Sequence, residues 1–191
     1  MTATEKPVVY IIIGSVRVVR QGPLVAEWIK QTADSTAGSS VNFEIVDLKD
    51  WDLPIVSLEP YPAARGIYTQ PNSIAWSEKI KKASGFIFLT PVYNGSYTAA
   101  LKNAIDYLKR EWDAKPAGIV TYSFRGSLRA VPQLQAVLGD SLRMDLAEPS
   151  LALKISDLVE DGKRTHQGPG LEQATEELKK LLASLTEKII K

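Results

Sequence analysis

The residues best suited to bind an anion lie in one short loop between an apolar run and an amphipathic segment. The guanidinium groups of Arg17 and Arg20 and the hydroxyl of Ser15 follow Gly14 within this loop. Pro23 suits the first turn of a helix, so a helix N-terminus with free N–H groups should come next. Guanidinium forks and a helix N-terminus both bind phosphate well. We therefore interpret this loop as a candidate site for a phosphate monoester, formed by Ser15, Arg17, Arg20, Gln21 and Gly22.

The glycine spacing of this loop excludes two common nucleotide-binding motifs. No Gly-Lys-Ser/Thr sequence follows Gly14, so the loop is not a P-loop. Val16 and Val19 occupy positions at which the dinucleotide fingerprint requires glycine, so the backbone cannot approach a pyrophosphate closely. A single terminal phosphate fits better, which favours FMN over NAD or FAD. An ordinary βα turn with solvated arginines would look similar, so this interpretation depends on two further loops.

The second loop, at 90–97, has residues suited to a flat heteroaromatic ring. Pro91 and Gly95 favour an irregular backbone whose N–H and C=O groups can meet the polar edge of a ring, while Tyr93 and Tyr97 supply aromatic walls. A third loop, at 123–127, could close the other side of the ring. The candidate residues of these two loops are Pro91, Val92, Tyr93, Asn94, Gly95, Ser123, Arg125 and Gly126.

Strand and helix patterns that alternate along the chain must position these loops. The first apolar run is short and rich in β-branched residues, as in a parallel strand buried on both faces. Apolar residues at helical spacing follow each predicted strand. We predict strands at 8–13, 41–48, 86–90, 117–122 and 145–147, and helices from Pro23 onward, at 73–83 with Asn72 or Ser73 as N-cap, at 99–112, from about Pro132 to Leu142, and at 171–190.

This alternation predicts an α/β fold: a flavodoxin-like, doubly wound, five-stranded parallel sheet of order 2-1-3-4-5 with helices on both faces. We interpret residues 1–191 as a single domain. Ligands of such sheets bind beyond the carboxyl ends of the strands, where the strand order reverses. The loops after the first, third and fourth strands should therefore meet in one crevice.

Composition limits the classes of partner. The net charge of +1 gives no reason to expect nucleic acid or an anionic membrane, and no apolar run approaches the ~20 residues of a membrane span. The absence of cysteine excludes disulfides, thiolate-bound metal and a cysteine nucleophile, and it fits a cytoplasmic protein. His166 is the one histidine, so a multi-histidine metal site is impossible, and a Ser-His-Asp hydrolase would have to use a residue in a segment typical of a surface loop.

Four motifs resemble the NADPH-dependent FMN reductase family, which includes quinone, azo-dye and chromate reductases of flavodoxin-like fold. They are GSVR at 14–17, PVYNGSY at 91–97, LKNAIDYL at 101–108 and Ser-x-x-Gly at 123–126, and the resemblance runs from about 8 to 142. It implies that Ser15 and Arg17 hold the FMN phosphate, that residues 91–95 line the isoalloxazine, and that Ser123 and Gly126 lie beside the flavin. It also implies homodimers or homotetramers with flavin sites near the subunit interface.

Two positions depart from the family pattern. Many members have serine where this chain has Arg20, and many have glutamate where it has Val92. A second arginine can still pair with phosphate, although the detailed phosphate contacts should differ. Val92 removes a charge beside the ring site, which could change the preferred substrate.

The residues and the resemblance together favour an FMN-dependent NAD(P)H oxidoreductase that reduces quinones, free flavin or related small acceptors by a ping-pong mechanism. Such an enzyme needs no catalytic protein residue, because the flavin carries the chemistry. A flavodoxin-type electron carrier is less consistent with 23 basic and 22 acidic residues, and a non-catalytic flavin-binding protein remains an alternative. A receiver domain lacks its acidic residues here, since Thr90 and Gly14-Ser15 occupy those positions.

Aromatic residues also suggest an oligomer. Trp112 lies at the end of a predicted helix, and the long loop at 49–72 carries Trp51, Tyr61 and Tyr68. Aromatic side chains are enriched at interfaces, so we expect a homo-oligomer.

Overall fold

Strands and helices alternate in the computed structural model, which describes residues 5–36, 40–55, 66–160, 163–164 and 171–191. The strands of the main sheet are β1 (Val8–Ile13), β2 (Asn42–Asp47), β3 (Gly85–Pro91), β4 (Pro116–Ser123), β5 (Asp145–Leu146) and β6 (Leu151–Lys154). The α-helices are α1 (Gly22–Thr36), α2 (Pro71–Lys81), α3 (Ala99–Asp106), α4 (Val131–Gln135), which continues as a π-helical segment (Ala136–Ser141), and α5 (Leu171–Ile190). Two short strands, β7 (Val159–Glu160) and β8 (Lys163–Arg164), pair separately from the sheet.

The sheet order confirms the predicted flavodoxin-like fold. Strands follow one another in the order β2-β1-β3-β4-β5, and every pair in this sheet is parallel. Ile11 of β1 pairs with Ile45 of β2 on one side and with Ile87 of β3 on the other. The reversal of strand order therefore lies between β1 and β3, as the sequence predicted.

The fifth position of the sheet is occupied by two segments. β5 pairs with the start of β4 at Pro116 and Ala117, whereas β6 pairs with its end at 120–123. Pro149 lies between β5 and β6 and has no N–H group to donate to a ladder. The sequence prediction included only the first segment and missed β6.

Helices cover both faces of the sheet, as predicted, because β1 is apolar on both sides. Val9, Ile11 and Ile13 lie in one buried cluster with residues of α1 and α5. Tyr10 and Ile12 lie in the opposite cluster with residues of α2, α3 and α4. Burial on both faces explains why the sequence of β1 does not alternate between apolar and polar residues.

Two predicted helix boundaries are wrong. α2 begins at Pro71 with Gln70 as N-cap, whereas the sequence predicted a helix from Ser73 with Asn72 or Ser73 as N-cap. Proline is well suited to the first helical turn. α3 ends at Asp106 instead of reaching Trp112, and successive turns follow it. Leu108 and Trp112 are nevertheless buried, so their apolar spacing reflects contact with the core and not helix.

Trp112 is a core residue, which contradicts its use as an indicator of an interface. Its side chain is fully buried and contacts Trp76 and Phe86 edge-on, and its indole Nε1 donates to the Ile105 carbonyl over 3.1 Å. Trp51 also packs on Trp76, with ring centroids 4.7 Å apart. The homo-oligomer stays a prediction that these tryptophans do not support. Tyr61 and His166 lie outside the described residues.

None of the helices in the described part of the chain is long and apolar enough to cross a bilayer.

We predict that Trp112→Ala lowers the free energy of unfolding by about 3–5 kcal/mol, the usual cost of removing a large buried aromatic side chain. Urea unfolding followed by circular dichroism measures this change. Ile190→Ala is the control: Ile190 is largely exposed at the end of α5, so its replacement should change stability by about 0.5 kcal/mol or less. A small loss of stability for Trp112→Ala, accompanied by a lower molecular mass in light scattering, would indicate that Trp112 lies at a subunit interface and not in the core.

Candidate functional site

Three loops meet at the carboxyl edge of the sheet. Because β3 lies between β1 and β4, the loops after these three strands are neighbours. They surround a cleft of about 230 Å³. The residues that line the cleft are Arg17, Val19, Arg20, Gln21, Pro91, Val92, Tyr93, Tyr122, Ser123, Phe124 and Ile155.

The backbone of the first loop is fixed at Gly14. Its N–H donates to the Leu89 carbonyl over 2.7 Å, and its own carbonyl accepts from the Thr98 hydroxyl over 2.5 Å. A Cβ at Gly14 would lie 3.1 Å from both Leu101 Cβ and the Leu89 oxygen. Any larger residue would therefore push β1 and α3 slightly apart at this point, where the first and second loops are joined.

Tyr93 connects the ends of these two loops. Its hydroxyl lies 3.1 Å from the Ser15 hydroxyl, and the Arg17 guanidinium carbon lies 3.9 Å from the centre of its ring. The Ser15 side chain is almost fully buried, while Arg17 is exposed. The three side chains form one contact group, which places a hydroxyl, a phenol and a guanidinium at one end of the cleft.

Arg20 is held by an ion pair. Its two terminal nitrogens donate to the two carboxylate oxygens of Asp47 over 2.6 and 2.5 Å, and Nη1 also donates to the Ser15 carbonyl over 2.6 Å. Burial alone raises the pKa of Asp47, but the hydrogen bonds from Arg20 and from the Lys49 N–H outweigh it, so the pKa lies below its ordinary value. Asp47 is thus ionised at neutral pH, and it compensates the charge of Arg20.

The second loop, whose backbone was expected to be irregular, contains a tight turn at Asn94-Gly95. Tyr93 and Ser96 exchange two backbone hydrogen bonds, of 2.8 and 3.0 Å, and φ is +52° at Asn94 and +86° at Gly95. Two positive φ angles are typical of a type I′ turn, for which Asn-Gly is strongly preferred. Gln133 of α4 holds this turn, because its side-chain amide donates to the Gly95 carbonyl over 2.8 Å and accepts from the Ser96 hydroxyl over 2.6 Å.

The third loop turns at Gly126, where φ is +65°. A Cβ at this position would lie 2.7 Å from Cγ of Lys154, so glycine is required by both the angle and the space. Phe124, at the tip of the loop, is 77% exposed and borders the cleft. Arg125 is also exposed, but it does not line the cleft.

The buried hydroxyl of Ser123 makes no hydrogen bond within the described chain. The buried hydroxyl of Tyr122 lies beside the Ser15 hydroxyl and interacts with it, but the two do not complete a hydrogen bond of good geometry. Burial raises the pKa of the Tyr122 hydroxyl, which therefore stays protonated. The N-terminus of α1 lies beside these groups, since a Cβ at Gly22 would come within 3.2 Å of the Tyr122 oxygen, and the first turn of α1 has no acidic residue. Buried hydroxyls, the Arg17 guanidinium and a helix N-terminus without an acidic side chain in its first turn fit a ligand with a phosphate.

The structure brings most of the predicted site residues together. Seven of them line the cleft: Arg17, Arg20, Gln21, Pro91, Val92, Tyr93 and Ser123. Ser15 contacts Tyr93 directly, and Gly22 begins α1. Asn94, Gly95 and Gly126 form the turns that shape the loops, while Arg125 is not brought to the lining.

Sequence reasoning missed several residues of the site. Asp47 and Gln133 act on the loops from distant positions, and no local pattern indicates such contacts. Ile155 was missed together with β6, which it follows. Tyr122 was assigned only to the fourth strand, although it is the last residue before a loop that was already a candidate.

A second cavity, of about 480 Å³, is larger than the cleft but is not the candidate site. Its lining is mainly apolar, with Trp51, Leu53 and Ile55 among the residues after β2 and Ala99 and Ala100 at the start of α3. Only Val16 comes from the first loop, and no residue of 90–97 or 123–127 contributes. The smaller cleft is preferred because all three candidate loops meet there.

Comparison with known proteins gives a consistent family. The profile of the family described as NADPH-dependent FMN reductase matches residues 7–155. An NAD(P)H-dependent FMN reductase of Schizosaccharomyces pombe is 41% identical over 169 residues, which cover 84% of this chain and 82% of that protein. Another from Saccharomyces cerevisiae is 35% identical over 189 residues, which cover 93% and 95% of the two chains.

The structural comparison agrees on the fold. FerB, a flavoenzyme NAD(P)H:(acceptor) oxidoreductase from Paracoccus denitrificans, superposes with a TM-score of 0.72. The match covers 96% of this chain and 97% of FerB, at 20% sequence identity.

We predict that Gly95→Val destabilises the protein by about 1–2 kcal/mol or more, because a residue with a Cβ is strained at this positive φ. Chemical denaturation measures the loss. Asn94→Gly is the matched control in the same turn: glycine accepts a positive φ without strain, so stability should stay the same or rise slightly. Equal destabilisation by both substitutions would mean that side-chain contacts of the turn, rather than its backbone angles, determine the effect.

Proposed function

Because the chain belongs to the NADPH-dependent FMN reductase family, we propose that it oxidises NAD(P)H and reduces quinones, free flavin or related small acceptors by a ping-pong mechanism. The chain is an oxidoreductase of the flavodoxin-like fold. The observation that supports the proposal most directly is that the first loop, suited to a phosphate, shares one cleft with the second and third loops, which are suited to a flat ring. Bound FMN would supply the redox chemistry by accepting hydride from NAD(P)H and passing electrons to the acceptor.

The first loop would hold the FMN phosphate. The Ser15 hydroxyl, the Arg17 guanidinium and the N–H groups at the start of α1 are the donors that suit a phosphate monoester. Arg17 is exposed and contacts only the face of Tyr93 among the interactions described, so its guanidinium can turn toward an anion at little cost. Tyr122 and Ser123 add hydroxyl donors beside this loop.

The second and third loops would orient the flavin ring. Backbone groups of 91–95 are held in place by the turn at Asn94 and Gly95 and by Gln133. Preorganised donors and acceptors need no rearrangement when the reaction begins, and correct orientation of the reacting atoms is a major source of rate enhancement. Val92 places an apolar side chain, instead of a charge, at this part of the cleft.

The acceptor preference is supported by an apolar rim. Val19 and Phe124 border the cleft from the first and third loops and are 72% and 77% exposed. Both side chains line the cleft, so an apolar ring that enters it can contact them. Burial of exposed apolar surface favours quinone-like acceptors over strongly polar ones.

A single shared cleft supports the proposed ping-pong order. The cleft of about 230 Å³ is where all three candidate loops meet, and the sequence carries no second nucleotide fingerprint. Donor and acceptor should therefore use the same space in turn, so that oxidised NAD(P)+ leaves before the acceptor binds.

A flavodoxin-type electron carrier is the second candidate function. Such carriers are usually strongly acidic, whereas this chain has a net charge of +1. NAD(P)H oxidation by the purified protein with a quinone present separates the two, because a carrier would not catalyse it. A cytoplasmic location and a homodimer or homotetramer remain part of the proposal.

We predict that Arg17→Ala weakens FMN binding by about 1.5–3 kcal/mol, the scale of a hydrogen bond to a charged group. Titration of apoprotein with FMN, followed by quenching of flavin fluorescence, gives the dissociation constant. Arg125→Ala is the control, since Arg125 does not line the cleft and its replacement should leave the constant unchanged. An unaltered FMN affinity in Arg17→Ala and in the Arg17→Ala/Arg20→Ala double variant would contradict the phosphate assignment.

We predict parallel double-reciprocal plots when NADPH and a water-soluble quinone are varied together. Parallel lines are the signature of a reaction in which the first product leaves before the second substrate binds. Intersecting lines would indicate a ternary complex, and hence a separate acceptor site that would need to lie outside the cleft. The same assays with NADH determine which nicotinamide cofactor is preferred.

A further inference from the structure

We propose that Asp47 is a positioning residue for the phosphate-binding loop and that it acts through Arg20. This inference rests on the proposed FMN site and extends it to a residue outside the cleft lining. Asp47 is the last residue of β2, and it pairs in the parallel ladder with Ile13, the last residue of β1. The loop that carries Arg20 begins immediately after Ile13, so the carboxylate lies level with the start of that loop.

The hydrogen bonds around Asp47 fix both sides of this junction. Both carboxylate oxygens accept from Arg20, and one of them also accepts from the Lys49 N–H over 3.0 Å. Arg20 in turn donates to the Ser15 carbonyl. Asp47 therefore connects the end of β2 to the residue whose hydroxyl is a proposed phosphate ligand.

The geometry of this ion pair distinguishes it from the exposed ion pairs of the chain. The side chains of Arg20 and Asp47 are only 10% and 16% exposed, and the pair is bidentate. Exposed single contacts such as Lys30–Asp34 contribute little to stability, whereas forked and shielded pairs fix geometry. Truncation of one partner would leave the other shielded and unpaired, which is costly.

The pair also divides the work of the two loop arginines. The charge of Arg20 is compensated by Asp47, and its guanidinium donates a hydrogen bond to the Ser15 carbonyl. Arg17 instead lies on the face of the Tyr93 ring. No ion pair within the described chain involves Arg17. Arg17 then supplies the available positive charge for the phosphate, and the Arg20–Asp47 pair holds the loop in the shape that presents it.

The test compares ligands that differ only in the phosphate. Dissociation constants of FMN and riboflavin are measured with apoprotein by fluorescence quenching for wild type, Asp47→Ala and Asp47→Asn. We expect Asp47→Ala to raise the FMN constant at least fivefold and to leave the riboflavin constant within twofold, because only the phosphate contacts the loop. Asp47→Asn, which keeps an acceptor for Arg20 but loses the charge, should lie between the two proteins.

A double-mutant cycle tests whether Asp47 acts through Arg20. In the Arg20→Ala background, Asp47→Ala should cause little further loss of FMN affinity, since the connection is already broken. Asp34→Asn is the control: Asp34 forms an exposed ion pair on α1, and its replacement should leave both constants unchanged. Thermal unfolding of each apoprotein establishes that it is folded, and Asp47→Asn provides the measurement if Asp47→Ala does not fold.

Three outcomes would overturn the proposal. An unchanged FMN constant in the Asp47 variants would mean that Asp47 does not position the phosphate-binding loop, and a lower constant would mean that Asp47 opposes the phosphate as a like charge. Equal losses for FMN and riboflavin would indicate a general structural defect. Additive losses in the double variant would show that Asp47 does not work through Arg20. Failure of wild-type protein to bind FMN would instead refute the proposed function, and with it this inference, so the two failures are distinguishable.

Discussion

The close approach of β1 to α3 at Gly14 is the constraint on which the site depends. Gly14, the residue after β1, makes two short hydrogen bonds. Its N–H donates to the Leu89 carbonyl of β3, and its carbonyl accepts from the Thr98 hydroxyl at the start of α3. A Cβ at Gly14 would be in tight contact, at 3.1 Å, with both Leu89 and Leu101. Because the core on both faces of β1 fixes the strand itself, this junction fixes where the first loop starts. The first loop, which follows Gly14, and the second loop, at 90–97, are therefore placed relative to one another by these contacts even without a ligand.

From that junction outward, charge is distributed unequally. A loop with two guanidinium groups and a helix N-terminus would repel itself if both cations were free, and the Arg20–Asp47 pair removes one of them. The remaining cation, Arg17, rests on an aromatic face, where its interaction is weak enough to be exchanged for an anion. A preformed loop loses little conformational entropy on binding, and that saving appears directly in the affinity for a cofactor. Shielding one arginine and leaving the other available serves both stability and binding.

Local patterns in the sequence were sufficient to predict the strand order and to place most of the candidate residues at one edge of the sheet. The β-branched run of β1 and the long amphipathic stripe of α5 require particular elements, whereas the tight turn at Asn94-Gly95 was expected only as an irregular backbone. What the sequence did not predict depends on contacts between distant residues. Arg20 meets Asp47 only because β1 and β2 are parallel neighbours in a given register. Trp112 keeps helical spacing after α3 has ended, since burial constrains a turn as strongly as it constrains a helix.

Some residues of the cleft shape the backbone of its loops, whereas others only present side chains at its rim. This difference determines which positions can change without disturbing the fold. The second loop is shaped by positive φ angles at Asn94 and Gly95 and the third loop by one at Gly126, so substitutions at these positions disturb the fold as well as the site. Val19 and Phe124 have the opposite character: they are exposed at loop tips and make no part of the two buried clusters. Replacement of exposed side chains usually has little effect on stability. In the proposed function, acceptor preference would vary at this rim while the scaffold that would hold the cofactor stays the same, in keeping with one fold serving different functions.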